Sequence, residues 1–476
     1  MSATGNPGTD ETSLEALGRV HLLGVGGVGM SGIARLLLAR GVPVSGSDAA
    51  DSDVLPRLAA LGARVAVGHD AAHLADLGAG DTIVLSSAVR PQNPELLAAR
   101  ERGMRVLHRS EALAALMVGR RGVAVAGTHG KTTTSSMLAV ALLGAGLDPS
   151  YAIGGELTGG DDGGARDGGG PFVAEADESD GSFRAYAPVI DVVTNVEADH
   201  LDHYGSVEAV EAAFAQFVQR LLPGGLLVSC ADDAGSARLA ATARARGVRV
   251  RSYGTSPDAD VQLSQVQAGV RTSAVLKDGD AAYELVLAVP GEHNLRNAAA
   301  AWVAALELGA DPLLVLEGLA RFGGARRRFE DKGEVGGVRV VDDYAHHPTE
   351  VEALLRAARP LVGSGRVVAV FQPHLVSRTR AFAAEFGRAL GLADEVVILD
   401  VYVAREDPDP AVTGALVADA VPLPSGQVTF VADRAAAAAA VAGRVRPGDL
   451  LLTVGAGDVT RLGPDVLALL AAGATP

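Results

Sequence analysis

One lysine of this chain stands inside a glycine- and threonine-rich turn: Val123-Ala-Val-Ala-Gly127-Thr128-His129-Gly130-Lys131-Thr132-Thr133-Thr134. A short apolar strand leads into the turn and a helix leaves it. Backbone amides in such a loop can cradle a triphosphate, the lysine ammonium can meet the β- and γ-phosphates, and the Thr132 hydroxyl suits Mg²⁺. The loop departs from the usual phosphate-loop spacing, because position 125 is Val where a glycine is expected. Only Lys131, Lys277 and Lys332 of the 41 basic residues are lysines, so a lysine between Gly130 and Thr132 argues for ATP binding over a surface helix cap.

Two acidic segments follow, each at the end of a predicted strand: Glu175-Ala-Asp177-Glu178-Ser-Asp180, and Asn195-Val-Glu197-Ala-Asp199-His200-Leu-Asp202-His203. Open parallel sheets put their ligands at these strand ends. Mg²⁺ takes carboxylate and water oxygens, so Glu175 is a candidate ligand, and His200 is a candidate for a second metal or for a supporting role. Alone, each acidic run reads as a solvated loop; beside a phosphate loop the two read together as a metal and phosphate site.

A second glycine turn comes earlier. Gly24-Val-Gly26-Gly27-Val-Gly29 follows a strand and opens a helix, and Ser47-Asp48 closes the next strand. Such a turn lets backbone N–H groups approach a diphosphate, with Asp48 placed for a ribose hydroxyl. By itself this pattern reads as NAD; the ligand is a dinucleotide or a nucleotide-sugar. Gly291-Glu-His293-Asn294-Leu-Arg296-Asn297 starts a helix, where an asparagine N-cap and a nucleobase contact are equally good readings. Arg326-Arg327-Arg328 is either a solvated linker or a set of cations that reach a phosphate. Asp342-Asp343-Tyr344-Ala-His346-His347-Pro348 and Gln372-Pro-His374-Leu-Val-Ser377-Arg378-Thr379 each follow a strand and are placed to meet one ligand.

Short β-branched runs alternating with Ala/Leu-rich helices predict the elements that hold these groups, in α/β domains with parallel sheets. Strands are expected at 20–25, 43–47, 64–67, 82–86 and 105–107, then at 122–126, 172–176 and 189–196. An alternating insertion follows at 259–289, and a last series at 338–341, 367–371, 395–400, 427–431 and 450–454. The glycine-rich stretch 154–170 reads as a loop without a core. At 476 residues, and about 150 per domain, the chain predicts three domains: 1–110, 111–325 and 326–476.

The formal charge of −16 gives the whole chain no attraction for nucleic acid or anionic membranes, so a phosphate ligand needs a local site. The single cysteine, Cys230, excludes an intramolecular disulfide and a multi-cysteine metal cluster. Segment 1–18 lacks a basic n-region and an apolar core, and no apolar stretch approaches 20 residues. These features predict a cytoplasmic protein without membrane insertion.

Together the two glycine loops, the segments 175–180, 194–202 and 291–297, and Asp342 to Pro348 resemble the Mur ligases, in the family's order along residues 20–460. The resemblance implies a Rossmann-like N-terminal domain for a UDP-sugar, a central P-loop ATPase-type α/β domain, and a Rossmann-like C-terminal α/β domain. It implies peptidoglycan synthesis by ATP-driven amide formation through an acyl phosphate. Gly26-Gly27-Val-Gly29-Met30-Ser31-Gly32-Ile33-Ala34 and Asp343 to Pro348 look most like the member that adds L-alanine to UDP-N-acetylmuramate. That subfamily lacks the carbamylated middle-domain lysine of later members, and this chain has no lysine between Lys131 and Lys277. The first loop then holds a UDP-sugar diphosphate instead of NAD.

Carried over residue by residue, the resemblance assigns the UDP-sugar to Gly24, Gly26, Gly27, Gly29, Asp48 and Ser86. It assigns ATP to Gly127, Thr128, His129, Gly130, Lys131, Thr132, Thr133, His293, Asn294, Asn297, Arg328 and Asp343. The metal, Mg²⁺ or Mn²⁺, falls to Thr132, Glu175 and His200. The reacting centre falls to Lys131, Glu175, His200, Arg328 and His129, and the alanine and lactyl groups to Tyr344, His346, His374 and Arg378. Substrates are small molecules, and the assembly is a monomer or homodimer. In segment 400–406 the family's usual proline and glycine are replaced by Val403 and Arg405, and no role is assigned there. Three other readings compete: a family member that attaches a preformed peptide during wall recycling, an NAD(P)-linked oxidoreductase that would leave Lys131 idle, and a nucleotide-binding regulator without catalysis, against which Lys131, Glu175 and His200 argue.

Overall fold

A computed structural model of the chain describes residues 14–159, 163–269, 271–404 and 406–473. Most of segment 1–18, three residues of the glycine-rich stretch and Arg405 lie outside the described residues. Two compact units form. One comprises Met1–Ser264, Leu276–Tyr283 and Arg296–Arg321, and the other Gln265–Val275, Glu284–Leu295 and Phe322–Pro476.

The first unit opens with β1 (Val20–Leu23), β2 (Val44–Asp48), β3 (Arg64–Val67), β4 (Thr82–Leu85) and β5 (Arg105–His108). They form a parallel sheet in the order β3-β2-β1-β4-β5. β1 is buried at all four positions, as a central parallel strand covered on both faces must be. Chain order reverses between β1 and β4, which is where such sheets bind ligands. β1 runs into the glycine turn and the helix Val28–Ala39, whose Met30, Ile33, Leu36 and Leu37 recur at helical spacing and are buried.

The middle sheet holds β6 (Gly122–Ala126), β7 (Ser150–Ala152), β8 (Ala165–Arg166), β9 (Phe172–Glu175), β10 (Ile190–Val193), β11 (Leu226–Cys230) and β12 (Arg249–Gly254). At one end follow β13 (Val261–Ala268), β14 (Thr272–Asp278) and β15 (Ala281–Leu287). The order is β15-β14-β13-β12-β11-β10-β6-β9-β7-β8. β6 pairs in parallel with β9 on one side and β10 on the other. The carboxyl ends of these three strands therefore gather the phosphate loop and both acidic segments at one edge.

Three features differ from expectation. The glycine-rich stretch is not wholly a loop: it carries β8, antiparallel to β7, with Ala165 buried. A Cβ on Gly32 would stand 3.2 Å from that of Ala165, so small residues on both sides let the strand lie on the helix Val28–Ala39. β11 and β12 were not expected: the short apolar run of β11 is not distinguished from a buried helix by periodicity, and β12 opens on Arg-Val-Arg. In the second unit β16 (Glu330–Val335) also departs from expectation. Its charged sequence carries no strand-like alternation, and it pairs antiparallel to β17 (Val338–Asp343) as an edge strand.

The second unit continues with β18 (Val367–Phe371), β19 (Glu395–Leu399), β20 (Val428–Val431) and β21 (Leu450–Val454), in the order β16-β17-β21-β18-β19-β20. Apolar clusters cover both faces of this sheet. In the first unit one cluster runs from Leu17 and Val25 through Leu113 to Phe172, Phe214 and Val218, so the first two sheets share a core.

Candidate functional site

The phosphate loop is built by exclusion of side chains. Gly127 has φ +135°, and a Cβ there would stand 2.0 Å from Thr194 Oγ1; Gly130 has φ +81°, and its Cβ would meet Asn297 Oδ1 at 2.8 Å. Segment 194–197 straps the loop in place. Thr194 Oγ1 donates to the His129 carbonyl at 2.5 Å, the His129 N–H donates to Asn195 Oδ1 at 2.7 Å, and the Glu197 N–H donates to Thr128 Oγ1 at 2.9 Å. The loop then feeds the helix Lys131–Gly144, whose N-terminus favours an anion.

Lys131 folds back over this turn. Its Nζ donates to the carbonyls of Gly127 at 2.7 Å and Thr128 at 3.1 Å, and to the Glu178 carboxylate at 2.9 Å. Burial opposes the lysine charge, but Glu178 and Asp177 raise its pKa above the ordinary value. Burial pushes the Glu178 carboxyl up to about 7 against the pull of Lys131. Thr132 Oγ1 donates to Glu175 Oε1 at 3.1 Å, and the Gly154 N–H donates to Glu175 Oε2 at 2.7 Å. His200 caps the short helix Leu201–Tyr204 with left-handed backbone (φ +55°), its Nε2 3.7 Å from both Glu178 and Asp199. His129 Nε2 lies 3.6 Å from Glu197. The structure therefore brings Gly127 to Thr133, Glu175, His200 and Asn297 to one strand edge.

The first glycine turn is equally constrained. Gly24 has φ +72°, and the Gly26 N–H donates to Asp48 Oδ2 at 2.9 Å. Asp48 also accepts from the Ala50 N–H at 3.2 Å, so its carboxylate holds the turn it follows. Gly27 caps the helix Val28–Ala39, and a Cβ on Gly29 would lie 3.2 Å from Arg109 Nη1. Ser86 lies just beyond β4, at the carboxyl edge of the same sheet. Arg109 escaped sequence reading, because nothing near it in sequence shows where its side chain reaches.

His293 and Asn294 fall in the second unit. Asn294 is not the N-cap that one reading allowed: the helix spans Glu292–Glu307, and Asn294 Nδ2 donates back to the Pro290 carbonyl at 2.7 Å. Asp343 accepts from the N–H groups of Phe329 and Ala345, both at 2.8 Å. Burial raises its pKa to about 6, with Arg328 pulling the other way. Arg328 stands 5.2 Å over the Tyr344 ring and 3.8 Å from Glu350. His346 sits 5.3 Å from Tyr344 and 5.9 Å from His374, ring to ring, and His374 stacks on Tyr402. His346 Nδ1 lies 3.0 Å from the Tyr344 carbonyl. Burial lowers the His346 pKa to about 3 against Glu350, with Arg378 and His374 adding to the fall, so this imidazole is neutral. Arg378 is buried on the first turn of Val376–Leu390. Tyr344, His346, His374 and Arg378 thus share one corner of the third sheet.

Three α/β segments with a lysine-bearing glycine loop, flanked by carboxylates at parallel strand ends, mark a candidate nucleotide-phosphate site. Residues 19–121 match the Mur ligase family catalytic domain, 166–305 the Mur ligase middle domain, and 327–457 the Mur ligase glutamate ligase domain. The chain belongs to the Mur ligase family. It is 78% identical over 468 residues to a UDP-N-acetylmuramate–L-alanine ligase of Kineococcus radiotolerans, covering 98% of this chain and 99% of that protein. It is 59% identical to the ligase of the same name from Saccharopolyspora erythraea, covering 96% and 94%. The crystal structure of UDP-N-acetylmuramate-alanine ligase from Thermotoga maritima superposes with a TM-score of 0.80 at 29% identity, covering 96% and 99% of the two chains. A murein peptide ligase from Psychrobacter arcticus shares the fold, with a TM-score of 0.69 at 24% identity and coverage of 95% and 98%. No helix among the described residues is long and apolar enough to cross a membrane.

Proposed function

We infer that this chain joins L-alanine to the lactyl carboxylate of UDP-N-acetylmuramate with hydrolysis of ATP, a step of peptidoglycan synthesis. The observation that carries this reading is the 78% identity, over nearly the whole chain, to a protein of that name. A carboxylate is a poor acylating agent at neutral pH, so it must first gain a leaving group. The lactyl oxygen attacks the γ-phosphorus, the bond to ADP breaks, and an acyl phosphate forms. The alanine nitrogen then attacks the acyl carbon, the C–O bond to phosphate breaks, and the nitrogen gives up a proton. Catalysis is then mostly positioning and charge neutralisation.

Within this reading residues 1–110 hold the UDP-sugar, 111–325 hold ATP and 326–476 present the amino acid. Lys131 and the loop amides bind the triphosphate, and the family resemblance adds Arg328 and Asp343 to the ATP residues. Neutral His346, with Nδ1 turned to a carbonyl, leaves Nε2 free to accept from the incoming amine, and Arg378 suits a carboxylate. Thr132 and Glu175 offer hard oxygen atoms 3.1 Å apart, a donor set that fits Mg²⁺ or Mn²⁺. Bound there, the ion supplies positive charge to the phosphates.

An ADP-release assay with each component omitted in turn tests the reading. ADP formation should require UDP-N-acetylmuramate, L-alanine and a divalent ion together. ADP release with a tripeptide but not with L-alanine would overturn it. Lys131→Ala should abolish turnover while leaving UDP-sugar binding intact.

A further inference from the structure

The four carboxylates of the first acidic segment point to two places. Glu175 accepts from Thr132 and Glu178 from Lys131, both on the phosphate loop. Asp177 and Asp180, lying between and after them, turn to the first sheet. Arg109 Nη2 donates to Asp177 Oδ2 at 2.6 Å, Ser87 Oγ donates to Asp180, and His108 Nε2 lies 3.5 Å from Asp180. Arg109 follows β5, and its second terminal nitrogen, Nη1, lies against Gly29 on the first turn of the helix leaving the glycine turn. Burial would raise the Asp177 carboxyl, but Arg109 and Lys131 hold it below the usual carboxylate range.

We propose that Arg109 is a substrate-binding residue. Its Nη1 takes the diphosphate of the UDP-sugar at Gly29, while Asp177 keeps hold of Nη2 and fixes the guanidinium plane. This rests on the proposed UDP-sugar reading of the first glycine turn. A guanidinium has donors on two edges, so one can stay on a carboxylate while the other meets a phosphate oxygen. Because Asp177 lies between Glu175 and Glu178, the same strap that orients Arg109 also orients Thr132 and Lys131. The bland competitor is a salt bridge that only joins the two sheets.

Calorimetric titration of the full chain with UDP-N-acetylmuramate, and separately with ATP, distinguishes them. Arg109→Ala should weaken UDP-N-acetylmuramate binding about 10- to 100-fold, the effect of losing a hydrogen bond to a charged group, with ATP affinity within about threefold. The KM for the UDP-sugar should rise in step. The swapped pair, Arg109→Asp with Asp177→Arg, restores a bridge and should not restore affinity. Asp177→Asn leaves the cation in place but loosens its plane, and should weaken UDP-sugar binding by less than Arg109→Ala does. Recovery of parental affinity by the swapped pair, or an Arg109→Ala effect under about threefold, would reduce Arg109 to a structural bridge. Should the parent chain itself fail to bind the UDP-sugar, the underlying functional reading falls as well.

Discussion

Glu95→Gln removes one charge from a fully buried knot beneath the first glycine turn. Glu95 lies in the first turn of Pro94–Glu101, and four side chains converge on it. Ser47 Oγ donates to Oε2 at 2.6 Å, His69 Nδ1 lies 3.0 Å from the same oxygen, His73 Nδ1 lies 2.6 Å from Oε1, and His21 Nε2 stands at 3.6 Å. Burial alone would raise the carboxyl, but His21 close by and the hydrogen bonds from Ser47 and His73 hold it at about 2, against 4.5 ordinarily. An acid depressed in this way contributes stability above its unfolded pKa and loses it as pH falls through the folded one. At about 1.4 kcal/mol per pH unit, the ionised group is worth ~3.4 kcal/mol at pH 7 and ~1.4 kcal/mol at pH 3.

Glutamine keeps the size but presents an amide N–H₂ to donors. A chain of this length does not unfold in one step, so the readout is local. Hydrogen exchange in Pro94–Glu101 should speed up by about 300-fold at pH 7, falling to about tenfold at pH 3. An acceleration below about tenfold at pH 7, or one that does not shrink on acidification, would refute the reasoning.

Asp191, on β10, is fully buried, neither carboxyl oxygen has a hydrogen-bond partner among the described residues, and burial pushes its pKa well up. Asp191→Val should stabilise the first unit by about 1–3 kcal/mol, more at high pH than at low, as a shift in its urea midpoint. Gly127→Ala should cost about tenfold or more in kcat/KM for ATP, because a Cβ 2.0 Å from Thr194 Oγ1 must displace the loop. Asp343, with its pKa near 6, takes up a proton as pH falls through that value. The pH profile of kcat/KM for ATP should carry an acid limb near pH 6, and Asp343→Asn should remove it.

The parallel strands that carry the site were legible because each is a short β-branched run ending in glycine or in carboxylates. β6 into Gly127, β9 into Glu175 and β17 into Asp343 all show it. What stayed hidden depends on packing between distant segments. β8 forms because Ala165 meets Gly32, which no local periodicity reports. Lys131 announced itself by position, but its partner could not be chosen among four nearby carboxylates until the fold set Glu178 2.9 Å away. Asn297 was matched to the nucleobase by resemblance; here its amide packs on Gly130 and explains why that position must be glycine.

The charge of −16 and the two phosphate-bearing substrates fit together once the partners of the cations are considered. Lys131 rests on Glu178, Arg109 on Asp177, Arg327 on Asp342 at 3.4 Å, and Arg328 near Glu350. An unpaired cation at these strand ends would bear a desolvation cost, and its long side chain would sample many rotamers before a ligand arrived. A carboxylate partner removes most of both costs in the free protein. Of these cations, Arg109 keeps a terminal nitrogen, Nη1, against Gly29, where backbone N–H groups already favour an anion. In the proposed reading, the acid beside Arg109 is thus the means by which that cation is held ready for phosphate. On that reading affinity comes from geometry at the two loops and owes little to the field of the whole chain.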